Sequence, residues 1–267
     1  MKSYRNVKEV QRKEALGRRF SLTGLGGLFL GMMASFVPSC YPLETPAPNQ
    51  MVSFLQQYWS LLSFIALPAG FLCASIGSYY INRFARRRWP GSRIIARPDE
   101  MLERNLKGFD DKFVYFAHSL PGSNYVVAGP CGVLLFVVRN DRGNVVINGD
   151  RWREPFSFGR ILTVFAREGI GQPPRELQEQ TVRMRELLEK ASANGANHPD
   201  LSHVPIDGAA VFLNEMAQLT VENPSIPVLR GDQVKEFIRR KVKEVKLPAA
   251  TVRALTDYLT EQSVHQT

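Results

Sequence analysis

The sequence predicts a two-helix transmembrane hairpin followed by a cytosolic α/β domain with a central mixed sheet flanked by helices. Two uncharged apolar stretches, residues 20–37 and 51–81, occur near the N-terminus. Each is long enough to cross a hydrocarbon core about 30 Å thick. Beyond residue 98, short apolar runs bounded by Gly, Pro or Asn alternate with amphipathic stretches, which is typical of a sheet covered by helices.

The predicted segments follow from these stretches and from the charges around them. They are a basic cytosolic tail (1–19), a first transmembrane helix (20–37), a short external loop (38–57), a second transmembrane helix (58–81), a basic linker (82–98), the α/β domain (99–230) and C-terminal helices (231–267). Gly24, Gly27 and Gly31 are spaced so that a second helix can approach the first closely. Pro68 falls inside the second helix, where membrane proteins tolerate it.

The basic residues flank the two spans on one side only. Seven Lys and Arg residues precede residue 20 and six lie between residues 82 and 97, whereas Glu44 is the only charged residue in the predicted external loop. The positive-inside rule therefore predicts a two-pass protein of the cytoplasmic (plasma) membrane with both termini in the cytosol. The same basic flanks predict contact with anionic lipid.

The overall charge argues against a nucleic-acid-binding domain. The chain carries a formal net charge of +9. Residues 1–98 contain 13 Lys and Arg against 3 Asp and Glu, a net charge of +10, so residues 99–267 carry a net charge of −1. The basic excess belongs to the membrane flanks, and the α/β domain lacks the broad positive surface of a nucleic-acid binder.

A cleaved first span is the alternative interpretation of the N-terminal region. Arg18 and Arg19 precede an apolar run, as in a twin-arginine signal, and the segment from Val37 to Cys40 resembles a lipoprotein cleavage box that would lipidate Cys40. The match is partial, because Pro38 lies just before the cleavage position. The second span would keep the α/β domain in the cytosol in either case.

Residues 123–145 contain the most informative pattern of the domain, SNYVVAGPCGVLLFVVRNDRGNV. Residues 125–128 and 133–138 are apolar runs of strand length, joined by a turn that contains Gly129, Pro130 and Gly132. The second run shows no alternation of polar and apolar residues. It therefore predicts a central strand that is buried on both faces.

This stretch resembles the nuclease-related domain (NERD) family, a branch of the restriction-endonuclease-like fold. The Gly-Pro-x-Gly-Val turn of that family corresponds to residues 129–133, and Asn140, Gly143 and Trp152 also fit its order and spacing. The resemblance covers residues 99–239. It implies a restriction-endonuclease-like domain built on a mixed sheet.

The departures from the family pattern fall on its catalytic positions. The family uses an aspartate on the first strand and a glutamate and a lysine on the second, and the matching positions are Asn124, Val137 and Arg139. Mg²⁺ prefers anionic oxygen ligands, which none of these residues supplies. The sequence therefore predicts no confident catalytic residue, no metal site and no cofactor.

Three other roles remain open for this region. Glu100 matches a family glutamate near the start of the domain and is an accessory candidate. Together with Asp110, Asp111 and Asp141, it could form a rearranged Mg²⁺ site, which would make the chain a metal-dependent nuclease. Arg139 could instead hold a phosphate or carboxylate ligand through its planar guanidinium group.

The remaining elements are predicted from periodicity and from turn residues. The helices are expected at 99–107, 173–193, 231–243 and 248–262, and the strands at 112–118, 144–148, 206–213, 219–221 and 227–229. Asp232 is predicted to cap the third of these helices. Gln178 or Gln180 corresponds to the glutamine that the family places on the helix at 173–193, and residues 156–170 stay ambiguous.

The cysteines and histidines predict no further site. Cys40, Cys73 and Cys131 fall in three different environments and form no disulfide framework, and a cytosolic Cys131 is expected to be reduced. The four histidines, His118, His198, His203 and His265, lack the spacing of metal ligands. The sequence also contains no phosphate-binding loop and no nucleophile elbow.

Two functions of different classes follow from these observations. The first is a membrane-anchored, catalytically inactive NERD-like domain that serves as a binding or scaffold module for an unknown protein or ligand. The alternative is a membrane-anchored metal-dependent nuclease with a rearranged site. The two differ in whether additional carboxylates lie near Asn124 and Arg139.

Overall fold

The computed structural model describes residues 1–42, 46–86, 96–140, 143–155, 170–193 and 200–264. These residues form two compact units. One unit contains the described residues up to Gln11 and from Arg86 onward, and the other contains residues 12–85. The coarse prediction of two long apolar helices and a mixed-sheet domain with helices is confirmed.

The two N-terminal helices are α1 (Val7–Cys40) and α2 (Gln50–Phe84), and both are long and apolar enough to cross a membrane. Each extends beyond its predicted span, so the segment between them is shorter than the predicted loop at 38–57. Pro38 lies inside α1, near its end. Asn49 caps α2, because its Oδ1 accepts a hydrogen bond of 2.9 Å from the backbone N–H of Val52.

Small residues allow the backbones of α1 and α2 to approach each other closely. A Cβ atom on Gly24 would lie 2.3 Å from the backbone nitrogen of Ala74, and one on Gly77 would lie 2.4 Å from that of Ser21. A Cβ on Gly26, by contrast, would meet nothing within 4 Å. The glycine face predicted from the sequence is therefore the face on which the two helices pack.

Polar side chains add hydrogen bonds between these helices. The hydroxyl of Ser63 donates to the carbonyl oxygen of Gly31 at 3.2 Å, and the hydroxyl of Ser35 donates to Ser63 at 3.0 Å. Gln56 donates through Nε2 to the carbonyl oxygens of Tyr41 and Pro42, just beyond the end of α1. These bonds satisfy polar groups that would be costly to leave unpaired in an apolar environment.

The other unit is built on a six-stranded mixed sheet in the order β1-β2-β3-β4-β7-β9. Its strands are β1 (Lys2–Arg5), β2 (Val114–Leu120), β3 (Ser123–Gly129), β4 (Gly132–Arg139), β7 (Ile206–Phe212) and β9 (Val228–Arg230). Only β3 runs opposite to the other five. A smaller sheet in the order β6-β5-β8 contains β5 (Gly143–Gly149), β6 (Arg151–Arg153) and β8 (Ala217–Pro224).

Helices cover both faces of the six-stranded sheet. They are α3 (Pro98–Asn105), α4 (Pro173–Ala193), α5 (Val234–Glu244) and α6 (Ala249–Val264). Side chains of α3 and α5 pack on one face, and side chains of α4 and α6 pack on the other. The C-terminal helices thus belong to the core of this unit, whereas the sequence separated residues 231–267 from the domain.

Strand β4 confirms the prediction of a central strand buried on both faces. All eight of its residues are buried. Leu134 and Phe136 pack into the core on the α3 and α5 face, whereas Val133, Leu135 and Val137 pack into the core on the α4 and α6 face. The continuous apolar run is needed because neither face of this strand meets water.

Strand β1 corrects the prediction of a basic tail over residues 1–19. It pairs in parallel with β2, and the ring of Tyr4 stacks on Phe116 with the centroids 5.6 Å apart. Arg5 forms an ion pair of 2.6 Å with Asp99 and a second of 2.8 Å with Glu103. The segment Lys-Ser-Tyr-Arg shows too little pattern to reveal a strand whose partner begins at Val114.

The predicted cap at Asp232 is also corrected. Residues Gly231–Gln233 form a 3-10 helix that leads into α5. The side chain of Gln233 accepts a hydrogen bond of 2.9 Å from the backbone N–H of Arg230. The first turn is therefore closed by Gln233, and Asp232 lines the surface beside it.

We expect Gly24→Leu to weaken the packing of α1 on α2, because its side chain would occupy the space of the Ala74 backbone. The cost should be roughly 1–3 kcal/mol, the usual penalty for overpacking. Gly26→Leu adds the same side chain to the same helix at an open position and serves as the control. Unfolding of the full chain in detergent measures both, and equal loss in the two variants would contradict the observed packing.

Arg5→Met should destabilise the domain, because the carboxylate of Asp99 is almost fully buried and would lose one of its two arginine partners. We expect a loss of roughly 1–3 kcal/mol in the free energy of unfolding. Lys2→Met removes the same charge from an exposed position of the same strand and should have little effect. If the two variants were equally stable, β1 would not be an integral strand.

Candidate functional site

The three positions that match the family's catalytic set lie on one face of the six-stranded sheet. Val137 packs into the core on the α4 and α6 face, so Arg139, two residues further along β4, lies on that face as well. Val126 belongs to the same core, which places Asn124 on the same face of β3. The fold therefore assembles the positions that the resemblance identified.

Asn124 is half-buried at the start of β3, beside an irregularity in β2. The register of β2 with β3 shifts between Ala117 and Leu120, and His118 within this bulge has a φ of 53°. The Nδ1 atom of His118 lies 3.3 Å from the Oδ1 atom of Asn124. A bulge beside a site redirects side chains, and here it brings an imidazole to the amide at the family's aspartate position.

Arg139 is held by other groups of the protein. Its side chain is 3% exposed, and its Nε donates a hydrogen bond of 3.0 Å to the carbonyl oxygen of Ile170. One of its terminal nitrogens donates a bond of 2.6 Å to Oε2 of Glu176, in the first turn of α4. This charge-assisted bond occupies the guanidinium that the sequence offered as a ligand-binding group.

Val137 contributes only apolar packing. Its side chain is 1% exposed within the core formed with α4 and α6. A carboxylate at this position would lose its hydration, and the penalty would be large without a bound cation. The position that the resemblance matches to the glutamate is therefore part of the hydrophobic core.

Helix α4 supplies two further polar groups on this side of the sheet. Gln180 is 4% exposed, and its Oε1 is buried without a hydrogen-bond partner among the described residues, whereas Gln178 is exposed. Gln180 is therefore the one of these two glutamines whose side chain faces the interior. Glu176 was missed by the sequence reasoning, although its position four residues before Gln180 places both on one helical face.

The accessory carboxylates that are described lie away from Asn124 and Arg139. Glu100 belongs to α3 on the opposite face of the sheet, where it accepts hydrogen bonds from the Nε of Arg86 at 3.0 Å and from the backbone of Arg97 at 3.2 Å. Asp110 and Asp111 come just before the start of β2, whereas Asn124 of β3 lies beside the other end of β2. The seven residues of β2 therefore separate these aspartates from Asn124 by roughly 20 Å. Asp141 is outside the described residues.

Three arginines form an ionic cluster with the acidic residues in the first turn of α3. They are Arg5, Arg86 and Arg97, and their partners are Asp99 and Glu100. Burial raises the pKa of Asp99, although Arg5 and Arg97 oppose that effect. Burial also acts to raise the pKa of Glu100, but the hydrogen bonds from Arg86 and Arg97 outweigh it, so this pKa is lowered. The cluster links the start of α3 to Arg5 and to Arg86, and both of its carboxylates are paired with arginine side chains.

The described residues include no group of three or more His, Cys, Asp and Glu side chains that could hold a metal ion. Cys131 is buried in the β3–β4 turn, and desolvation raises the pKa of its thiol to about 11. A thiol with this pKa is protonated at neutral pH and is a poor nucleophile. The polar groups described at the matching positions are the amide of Asn124 beside His118 and the guanidinium of Arg139 beside Glu176.

Comparisons of the chain with models of protein families, with curated proteins and with solved structures return no match.

Arg139→Met should lower the free energy of unfolding by roughly 1–3 kcal/mol, because it deprives the partly buried Glu176 of a charge-assisted bond. Arg175→Met breaks the exposed pair with Glu179 on the same helix and should cost no more than about 0.5 kcal/mol. Chemical denaturation of the two variants compares them directly. Equal stability would mean that the Arg139–Glu176 pair does not anchor α4.

Proposed function

We propose that this chain is a membrane-anchored NERD-like protein whose cytosolic domain does not cleave nucleic acid. The domain instead serves as a binding or scaffold module at the cytoplasmic face of the membrane. The observation that carries this proposal is the engagement of Arg139 by Glu176 and by the carbonyl oxygen of Ile170. Arg139, at the position that matches the family's lysine, is a buried cation that is already paired with the carboxylate of Glu176.

The chemistry of phosphodiester cleavage supports the inactive state. A Mg²⁺ ion must be held by anionic oxygens if it is to polarise a phosphate and activate water. Asn124 offers a neutral oxygen, Val137 offers none, and Arg139 would repel the cation. Among the described residues, the carboxylate that contacts Arg139 is that of Glu176, and it is paired with the guanidinium group.

The arrangement of elements supports a restriction-endonuclease-like fold. In that fold a central mixed sheet is flanked by helices, as in the order α3, β2, β3, β4, α4 and β7. The strand that would bear the catalytic glutamate and lysine is β4, which lies between β3 and β7. These features support a domain with the scaffold of such a nuclease and without carboxylates at the three matching positions.

The path of the chain supports a two-pass protein with both termini in the cytosol. Strand β1 precedes α1 and yet pairs with β2, which follows α2. A strand cannot pair across a bilayer, which supports a path with both ends of the helix pair on one side of the membrane. The basic flanks favour the cytosol as that side by the positive-inside rule.

Metal-dependent cleavage tests the inactive state. The full chain is needed because a fragment that begins at Asp99 would lack β1. Purified in detergent with Mg²⁺ or Mn²⁺, it should cleave neither DNA nor RNA. The triple variant Asn124→Asp, Val137→Glu and Arg139→Lys restores the family's residues and should bind Mn²⁺ in calorimetry if it folds.

Cleavage by the unmodified chain would contradict the proposal if it required metal and disappeared in Asn124→Ala. Such a result would establish the alternative, a metal-dependent nuclease with a rearranged site. Circular dichroism of Asn124→Ala would verify that this half-buried position had been changed without loss of the fold.

A further inference from the structure

A cavity of about 430 Å³ lies at the carboxyl ends of β7 and β9, on the side of the sheet that carries α3. Its lining includes Arg104 and Asn105 from α3, and Arg230, Gly231 and Asp232 from the end of β9. Ligands of open α/β sheets bind beyond the carboxyl ends of parallel strands. The volume is within the range of small-molecule sites.

The cavity is lined by exposed side chains of both charges that form no ion pair with one another. Arg104 and Arg230 face it together with Glu215 and Asp232, and none of these four side chains forms an ion pair with another described residue. Arg230 is held in place, because one terminal nitrogen donates a 3.1 Å hydrogen bond to the carbonyl oxygen of Ala217. Its remaining N–H groups can serve a ligand.

Asn105 is placed at this cavity by the absence of a side chain at Gly231. A Cβ atom on residue 231 would lie 2.4 Å from the Nδ2 atom of Asn105 and 3.3 Å from a methyl carbon of Leu213. The glycine therefore lets the amide of Asn105 rest against the backbone that opens the 3-10 helix. A larger residue would displace the amide without changing any charge.

We propose that this cavity binds a phosphorylated polyol. Two guanidinium groups suit a phosphate, which they can contact through several N–H donors. Carboxylates are acceptors only, and Glu215 and Asp232 suit the hydroxyl groups of the same ligand. A bare anion would use the arginines alone and would be repelled by the carboxylates, whereas a phosphorylated polyol uses both.

The side chains of Asn124 and Arg139 lie on the other face of the sheet from α3, although the backbone of Arg139 bonds to Leu213 in the lining of the cavity. The proposal does not rest on the absence of nuclease activity, and either one can fail alone. The shared chemistry, a phosphate next to hydroxyl groups, occurs in soluble sugar phosphates and in the headgroups of phosphorylated inositol lipids. The experiment distinguishes these two sources.

Isothermal titration calorimetry tests the site with ribose 5-phosphate and the full chain in phosphatidylcholine nanodiscs. We expect binding that is stronger than for ribose or for inorganic phosphate. Arg104→Gln should weaken it by at least about tenfold, the effect of losing a hydrogen bond to a charged group. Arg175→Gln, the same change at an exposed position of α4, should leave the affinity unchanged.

Two further variants separate recognition from folding. Asp232→Asn should weaken the binding of ribose 5-phosphate by about tenfold, whereas the binding of inorganic phosphate should become no weaker, because the variant removes a carboxylate that repels a bare anion. Gly231→Ala should weaken ribose 5-phosphate through the displaced Asn105 while all charges stay in place. If these residues served only to stabilise the fold, the variants would instead change the thermal midpoint of unfolding. The ratio of the affinities for ribose 5-phosphate and inorganic phosphate would stay the same.

Nanodiscs doped with phosphatidylinositol 4-phosphate identify the source of the ligand. Loss of ribose 5-phosphate binding in doped discs, restored by removal of the lipid, would support the site and assign it to a lipid headgroup. Unchanged binding would support the site and assign it to a soluble ligand. No binding of ribose 5-phosphate in undoped discs, or equal affinities for the unmodified chain and Arg104→Gln, would overturn the proposal.

Discussion

The parallel pairing of β1 with β2 is the constraint on which the rest of this structure depends. It joins residues that precede the first long helix to residues that follow the second, so the α/β domain is discontinuous in sequence. The ion pair of Arg5 with Asp99 joins β1 to the start of α3. Arg86, which follows α2 in the sequence, donates a hydrogen bond to Glu100 of α3.

This arrangement has a consequence for the sheet. An edge strand with unpaired backbone groups invites association with other chains. Strand β1 covers that edge of β2. Its four residues rely on pairing, on the stacking of Tyr4 and on the ion pairs of Arg5, because a strand this short has little stability of its own.

The Arg139–Glu176 pair has a comparable role on the other face. A buried arginine is tolerated only when its charge is matched, and Glu176 supplies the match from the first turn of α4. The negative side chain is also favourable at the N-terminal end of a helix. In a metal-dependent nuclease the carboxylates of such a site would be free for a cation, whereas here the charge is satisfied within the protein.

The sequence predicted the elements whose pattern is local. The uninterrupted apolar run of β4 indicated burial on both faces, and the paired prolines and apolar period of α4 predicted its bounds. Strand β1 was missed because four residues of mixed polarity acquire a strand conformation only beside β2. Glu176 was missed because its partner lies 37 residues away along the chain. The cap at Asp232 was wrong because Gln233 competes for the same turn.

The location of the two ends of the chain tests the account most directly. In a background in which Cys40, Cys73 and Cys131 are replaced by Ala, single cysteines at Lys2, at Tyr41 and at Glu261 would be labelled with a membrane-impermeant maleimide. We predict labelling of Tyr41→Cys in intact cells and of Lys2→Cys and Glu261→Cys only in inverted vesicles. Labelling of Lys2→Cys and Glu261→Cys from opposite sides would contradict the account, because β1 could then not pair with β2.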